Sequence, residues 1–142
     1  VDEATGYITI HKHVIVGDTG KSLNPQQVAG QDEGAAIQGL GHTLMEHMIL
    51  DEHGAIRNLG AIDYRIPTSM DLPQHIESAA VENEDGPGPY GAKGVSEGGL
   101  LAVQSAVGSA VADATGVVLT TLPLTPEHVW RAIQDARASD DQ

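Results

Sequence analysis

A chain of 142 residues is long enough to bury the core of one domain, and with 40% hydrophobic but only 3% aromatic residues and no Phe that core must be built from Ala, Val, Leu and Ile. A formal net charge of −13 argues against nucleic acid and anionic membrane surfaces as partners, and the absence of Cys excludes disulfides and iron–sulfur ligation within this chain. No apolar run approaches a membrane span and no secretory leader pattern is present, so a soluble, cytoplasmic protein is expected.

Tyr7 to Val16 alternates as a strand, with Ile8, Ile10, Val14 and Val16 on one face and Thr9, His11 and His13 on the other. Asn24-Pro25 predicts a helix start, and the helix is expected to run to about Leu50. It carries four interior glycines, an unusual number because each costs about 1 kcal/mol relative to Ala. Gly30, Gly34 and Gly41 share one side, which suits either close packing on a sheet or the approach of a flat ligand. Asp51 to Gly54 reads as a turn, Ile76 to Val81 as a strand, and Glu82 to Gly91 as an acidic loop. A helix from Gly98 to Ala114 follows, with Leu100, Val103, Val107, Ala110, Val111 and Ala114 on its apolar side and Gly116 ending it. Val117 to Leu122 is a strand candidate, Thr125-Pro126-Glu127 opens a last helix reaching about Ala136, and Ser139 to Gln142 reads as a frayed acidic tail. With no repeat and no linker, residues 1–142 read as one α+β unit of mixed helices and strands.

Two stretches carry chemistry. In Pro89 to Gly99, Lys93 and Glu97 stand in a run that is otherwise small, glycine-rich and apolar. Glu97 just precedes a predicted helix, where free backbone N–H groups favour a carboxylate, so position alone reads it first as a helix cap. The neighbouring glycines also leave room for a large ligand, and a carboxylate in an ordered cleft can act as a general base. Gln31 and Gln38 lie seven residues apart on one strip of the first helix, where each amide needs a neighbouring loop or a ligand as its partner. The histidines are weaker candidates. His11 and His13 share a strand face without an evident third metal ligand, and His42-x-x-x-Glu46-His47 has neither zinc-protease spacing.

The order and spacing of several motifs resemble the C-terminal part of the molybdopterin-binding catalytic subunit of the molybdenum hydroxylases, the xanthine, aldehyde and carbon monoxide dehydrogenase type. The motifs are Asn24-Pro25, Gly30-Gln31-Asp32-Glu33-Gly34, Gln38-Gly39-Leu40-Gly41, Asp63-Tyr64-Arg65-Ile66-Pro67-Thr68, Asp71-Leu72-Pro73, Gly91-Ala92-Lys93-Gly94-Val95-Ser96-Glu97, Ala112 to Gly116, and Leu122 to Glu127. The resemblance runs from about Tyr7 to Ala136. One departure is Ser96-Glu97-Gly98-Gly99, where many members have Gly-Glu-Pro-Pro; it is more similar to the carbon monoxide and bacterial aldehyde dehydrogenase branches.

The resemblance implies that Glu97 is the active-site base, taking the proton from the water-derived oxygen that attacks an electron-poor substrate carbon. It implies that Gln31, Lys93, Gly94, Val95 and Ser96 bind a molybdenum–molybdopterin cofactor in its cytosine dinucleotide form, with no protein ligand to the metal. Lys93 would offset cofactor phosphate or position the loop around Glu97; a solvated surface lysine is the plain alternative. It further implies that this chain is one part of a site completed by a larger molybdenum-binding chain or segment, with iron–sulfur and FAD partners carrying electrons away. The competing readings are a non-catalytic assembly module of such a complex and a small zinc hydrolase built on the histidines.

Overall fold

The computed structural model describes residues 1–140. They form two compact units: residues 10–39 with 72–103, and residues 1–9 with 40–71 and 104 onward. Helices and a small two-stranded sheet make up the α+β architecture, and no helix among the described residues is long and apolar enough to cross a membrane.

In the first unit, strand β1 (Lys12–Asp18) pairs in parallel with β2 (His75–Val81), in register from Lys12 opposite His75 to Asp18 opposite Val81. The facing of β1 is the reverse of the expected one. Ile15 is buried, with His13 and Gly17 half-buried on its side, whereas Val14 and Val16 are 52% and 64% exposed. Helix α1 (Pro25–Leu44) decides the parity: the carboxylate of its Asp32 stands against Gly17, and Gly99 sits within van der Waals reach of both Ala35 and Ile15. One face of β1 is thereby closed, and the two valines fall on the other.

The start of α1 is as its sequence predicts, with Asn24 Oδ1 accepting the Gln27 N–H at 3.1 Å. Its end comes earlier than expected, at Leu44 rather than about Leu50. The N–H groups of Met45 and Glu46 both turn back to the Gly41 carbonyl. Beyond them, the buried Asn58 accepts the Ile49 N–H and donates to the His47 carbonyl, holding that stretch off the helical path. A side-chain amide thus outcompetes the helix ladder for these backbone groups. The turn at Asp51 to Gly54 follows, tied by the Asp51 carboxylate to the His53 and Ala55 N–H groups.

The helix expected from Gly98 to Ala114 is two: α2 (Gly98–Leu101) and α3 (Val103–Thr115), broken at Ala102, whose N–H turns to the Leu100 carbonyl. After the break, Val103 packs against Gly39, where an added Cβ would stand 2.7 Å from the valine side chain. The buried spine of α3 is Val103, Val107 and Val111; Ala110 and Ala114 are exposed, so the apolar stripe is narrower than the composition predicts.

The second unit has its core in Leu40, Val107, Val111, Leu124, Val129 and Ile133, and the Leu124 N–H bonds to the Thr43 carbonyl. Helix α4 (Pro126–Asp140) opens with Thr125 Oγ1 accepting the His128 N–H and runs past Ala136. Ser139 and Asp140 are therefore helical rather than frayed, and the last two residues of the predicted tail, Asp141 and Gln142, lie outside the described residues. Val117 to Leu122 is not a strand: it has no ladder partner, and Val118 is 75% exposed. β-Branched composition gives a strand only where a neighbouring backbone takes its N–H and carbonyl groups.

Candidate functional site

Within the first unit, α1 and the segment before α2 line an open surface pocket of about 230 Å³ made by Gly30, Gln31, Gly34, Ala35, Gln38, Ser96 and Glu97, with both amides and Glu97 exposed. The helical period makes this lining. Gly30, Gln31, Gly34 and Gln38 recur at three- and four-residue steps, so one exposed strip of α1 presents two amides separated by bare backbone. A Cβ built on Gly30 or Gly34 would meet nothing within 4 Å, and the same holds for Gly94 and Gly98. The interior glycines therefore divide. Gly39 and Gly41 are required by packing, against Val103 and against Glu46 and Pro67, while no packing contact among the described residues requires Gly30 or Gly34.

Glu97 occupies the N-cap position of α2, with φ −80° and ψ 5°, yet its carboxylate makes no capping hydrogen bond. The capping role read from its position is thus absent. Gln31 and Gln38 likewise make no side-chain hydrogen bond among the described residues, so neither amide serves a neighbouring loop. The cavity brings together one carboxylate and two amides that are free of internal partners, over a glycine floor.

A second cavity of about 220 Å³ lies in the same unit, lined by residues 15–19 of β1 and the turn after it, by Asp32, and by Gly94, Val95, Ser96, Gly98 and Gly99. Ser96 is common to both cavities. Of the predicted site residues, Gln31, Ser96 and Glu97 thus meet in one cavity, and Gly94 and Val95 line the other. Lys93 lines neither. Its Nζ lies 2.7 Å from Asp18 and 2.6 Å from Asp85. Hydrogen bonds to Asp18 and then Asp85 hold the lysine above its ordinary pKa, and the same bond, followed by the Gly20 N–H, holds the Asp18 carboxyl below the usual carboxylate value.

Asp32 was not singled out by its sequence context. It is 4% exposed and accepts the Ser78 hydroxyl at 2.9 Å, bracing α1 against β2 beneath the cavity. The available signal was its place one turn before Ala35 and Ala36, on the side of α1 that faces the core. The zinc reading finds no ligand set. Among the described residues no three His, Asp or Glu side chains stand close enough to hold an ion. His11 pairs with Gln74, and Glu46 is held by His42 at 3.4 Å and the Tyr64 hydroxyl at 3.0 Å.

Residues 1–73 match the molybdopterin cofactor-binding domain family. A xanthine dehydrogenase molybdenum-binding subunit of Escherichia coli O157:H7 is 42% identical over 131 residues, which is 92% of this chain and 17% of that protein. A match of that length takes in the segment around Glu97. Among solved structures, quinoline 2-oxidoreductase from Pseudomonas putida 86 aligns with a TM-score of 0.83 at 34% identity, covering 95% of this chain and 17% of that one. Aldehyde oxidoreductase from Desulfovibrio gigas aligns with a TM-score of 0.85 at 30% identity, covering 94% and 14%. The chain spans between 14% and 19% of the length of the curated relatives it matches. With the family match over residues 1–73 and the structural likeness over nearly the whole chain, the protein belongs to the molybdopterin cofactor-binding domain family of the molybdenum hydroxylases.

Proposed function

We propose that this chain is the part of a molybdenum hydroxylase that grips one side of the molybdopterin and supplies the base for oxidation of an aldehyde, an N-heterocycle or a similar small substrate. One observation carries the reading: Gln31, Gln38 and Glu97, all without side-chain partners among the described residues, line a single open pocket whose floor is two glycines that packing does not require. Those residues fit the cofactor's chemistry. A pterin edge offers donors and acceptors that side-chain amides match, and bare backbone at Gly30 and Gly34 admits a flat ring system. When bound, molybdenum–molybdopterin supplies a two-electron acceptor beside the reacting carbon.

The chain's own residues then do three things. Gln31, with Gln38 two helical turns further along the same strip, orients the pterin edge through directed amide bonds. Gly94, Val95 and Ser96 carry the backbone past the cofactor, with Gly94 leaving the approach bare. Glu97 takes the proton from the water-derived oxygen as it attacks the substrate, a carboxylate with no competing partner to satisfy first.

The 142 residues form, on this reading, one C-terminal portion of the cofactor-binding domain, with the cofactor in its cytosine dinucleotide form, in a cytoplasmic complex. Iron–sulfur clusters and FAD belong to partner chains or domains, as a chain without Cys cannot ligate clusters itself. A larger molybdenum-binding chain or segment completes the site. Support for a partner chain or segment comes from the other unit, where Leu59, Ile62 and Met70 are 82%, 87% and 88% exposed within residues 59–70.

The test is Glu97→Gln in the assembled, molybdenum-loaded complex. The amide keeps the size and hydrogen bonding of the carboxylate but removes the base, so molybdenum content is expected to stay at the wild-type level while turnover falls by at least ~10²-fold. Turnover within a few-fold of wild type would remove Glu97 from this role.

A further inference from the structure

Resting on the reading above, we infer that Lys93 is a positioning residue that fixes where Glu97 stands, and that it does not hold the cofactor's phosphate. Its ammonium is already shared between two carboxylates, Asp18 at 2.7 Å and Asp85 at 2.6 Å. An arriving phosphate would meet a cluster whose formal charge is −1, with Glu82 and Glu84 on the same loop, and would be repelled rather than held.

Each carboxylate is anchored in a different segment. Asp18 ends β1 and is further fixed by the Gly20 N–H at 3.0 Å and the Asn83 side chain at 3.2 Å. Asp85 belongs to the acidic loop that follows β2. Lys93 therefore ties three stretches of chain at one point: the end of β1, the acidic loop, and the segment that leads to Glu97 four residues on.

The backbone around this point is interlocked. The Lys93 N–H bonds to the Thr19 carbonyl at 2.9 Å, the Glu84 N–H to Gly20 at 2.8 Å, the Gly86 N–H to Gly91 at 2.8 Å, and the Gly88 N–H to Ala92 at 3.0 Å. A Cβ on Gly20 would run into the Gly91 carbonyl, and one on Gly91 into Glu84. Beyond Lys93 this tightness ends. A Cβ on Gly94 would meet nothing within 4 Å, and the next backbone hydrogen bond among the described residues is at the Glu97 carbonyl, which accepts the Leu100 N–H at 3.1 Å. Glu97 thus hangs on a short span between the Lys93 clamp and α2, and the clamp sets one end of that span. Displacement of a reacting group by about 1 Å can cost on the order of 10²-fold in rate, so a slack clamp should be felt at the base.

The experiment compares Lys93→Met and Lys93→Arg in the loaded complex, following hydrogen exchange at the Gly86, Gly88 and Lys93-position amides, molybdenum content, and kcat and KM separately. For Lys93→Met the expected result is loss of protection at those amides, unchanged molybdenum content, and a fall in kcat of about ten- to a hundredfold with KM little changed. Lys93→Arg, whose forked guanidinium can span both carboxylates, is expected to restore protection and most of kcat. Loss of molybdenum with the loop still protected would make Lys93 a cofactor ligand and overturn the inference. Loss of protection with kcat unchanged would overturn it as well, as would Lys93→Met matching wild type in every measurement. Glu97→Gln run alongside separates the two claims: if that variant stays active the base assignment fails, while exchange and molybdenum content at Lys93 still decide what the lysine holds.

Discussion

Replacing Gly34 by alanine adds one methyl group to an exposed face of α1 at a place where no heavy atom lies within 4 Å. No steric cost opposes the gain in helix propensity, which is about 1 kcal/mol for Gly→Ala in a helix interior. That gain is about a fivefold decrease in local opening of α1. Gly30→Ala should behave alike, since its Cβ position is equally open. Gly39→Ala is the control of opposite sign: its methyl would stand 2.7 Å from the Val103 side chain and 3.2 Å from the Leu100 carbonyl, and overpacking of this kind costs roughly 1–3 kcal/mol, more than propensity returns. Hydrogen exchange of the α1 amides measures the first effect, and molybdenum content of the assembled complex measures the second. The expected result for Gly34→Ala is slower exchange together with reduced cofactor retention, a more stable helix that binds worse. Faster exchange would show that the helix face is not open as described. Slower exchange with full molybdenum content would show that the glycines do not serve a close-approaching ligand.

Asn58→Ala should destabilise by roughly 1–3 kcal/mol, because it strips partners from the Ile49 N–H and the His47 carbonyl at once; an unchanged denaturant midpoint would show that solvent replaces the amide fully. His13 gives a pH dependence with a definite sign. Its half-burial on the covered face of β1 lowers its pKa by desolvation, so the unfolded chain takes up the proton more readily than the folded one. The contribution is complete above the ordinary imidazole pKa of about 6.5 and is lost as pH falls through and below it. The stability difference between wild type and His13→Gln should therefore shrink from pH 7.5 to pH 5.5, and a difference that is flat or grows on acidification would refute the assignment.

What could be read in the sequence was whatever rests on neighbouring residues. The Asn24 cap, the Asp51 turn and the Thr125-Pro126 helix start depend on groups a few positions apart, and each stands where the local chemistry puts it. What failed depended on distant partners. The end of α1 is set by Asn58, and the facing of β1 by Asp32, Ala35 and Gly99, none of which marks the strand itself. Val117 to Leu122 has the β-branched composition of a strand but no backbone neighbour to pair with among the described residues. At the site, the helical period of the Gly30 to Gln38 strip was legible, and its meeting with Glu97 followed from the family resemblance rather than from any local pattern. The Asp18 carboxylate on Lys93 was hidden for the same reason as Asn58: it lies 75 residues away.

The pairing of β1 with β2 has a consequence for the order of events when the chain folds. Lys12 finds His75, so the ladder closes a loop of about sixty residues before its hydrogen bonds repay the entropy of closure. Helix α1, with four interior glycines, likewise draws on distant residues, through Gly39 against Val103 and Asp32 against Ser78. The Asp18–Lys93 contact spans a still longer interval and depends on the ends of both strands being in place. The segment bearing Glu97 is thus among the last parts of its unit to acquire a fixed position. The clamp before Glu97 therefore cannot close until the ends of β1 and β2 have met.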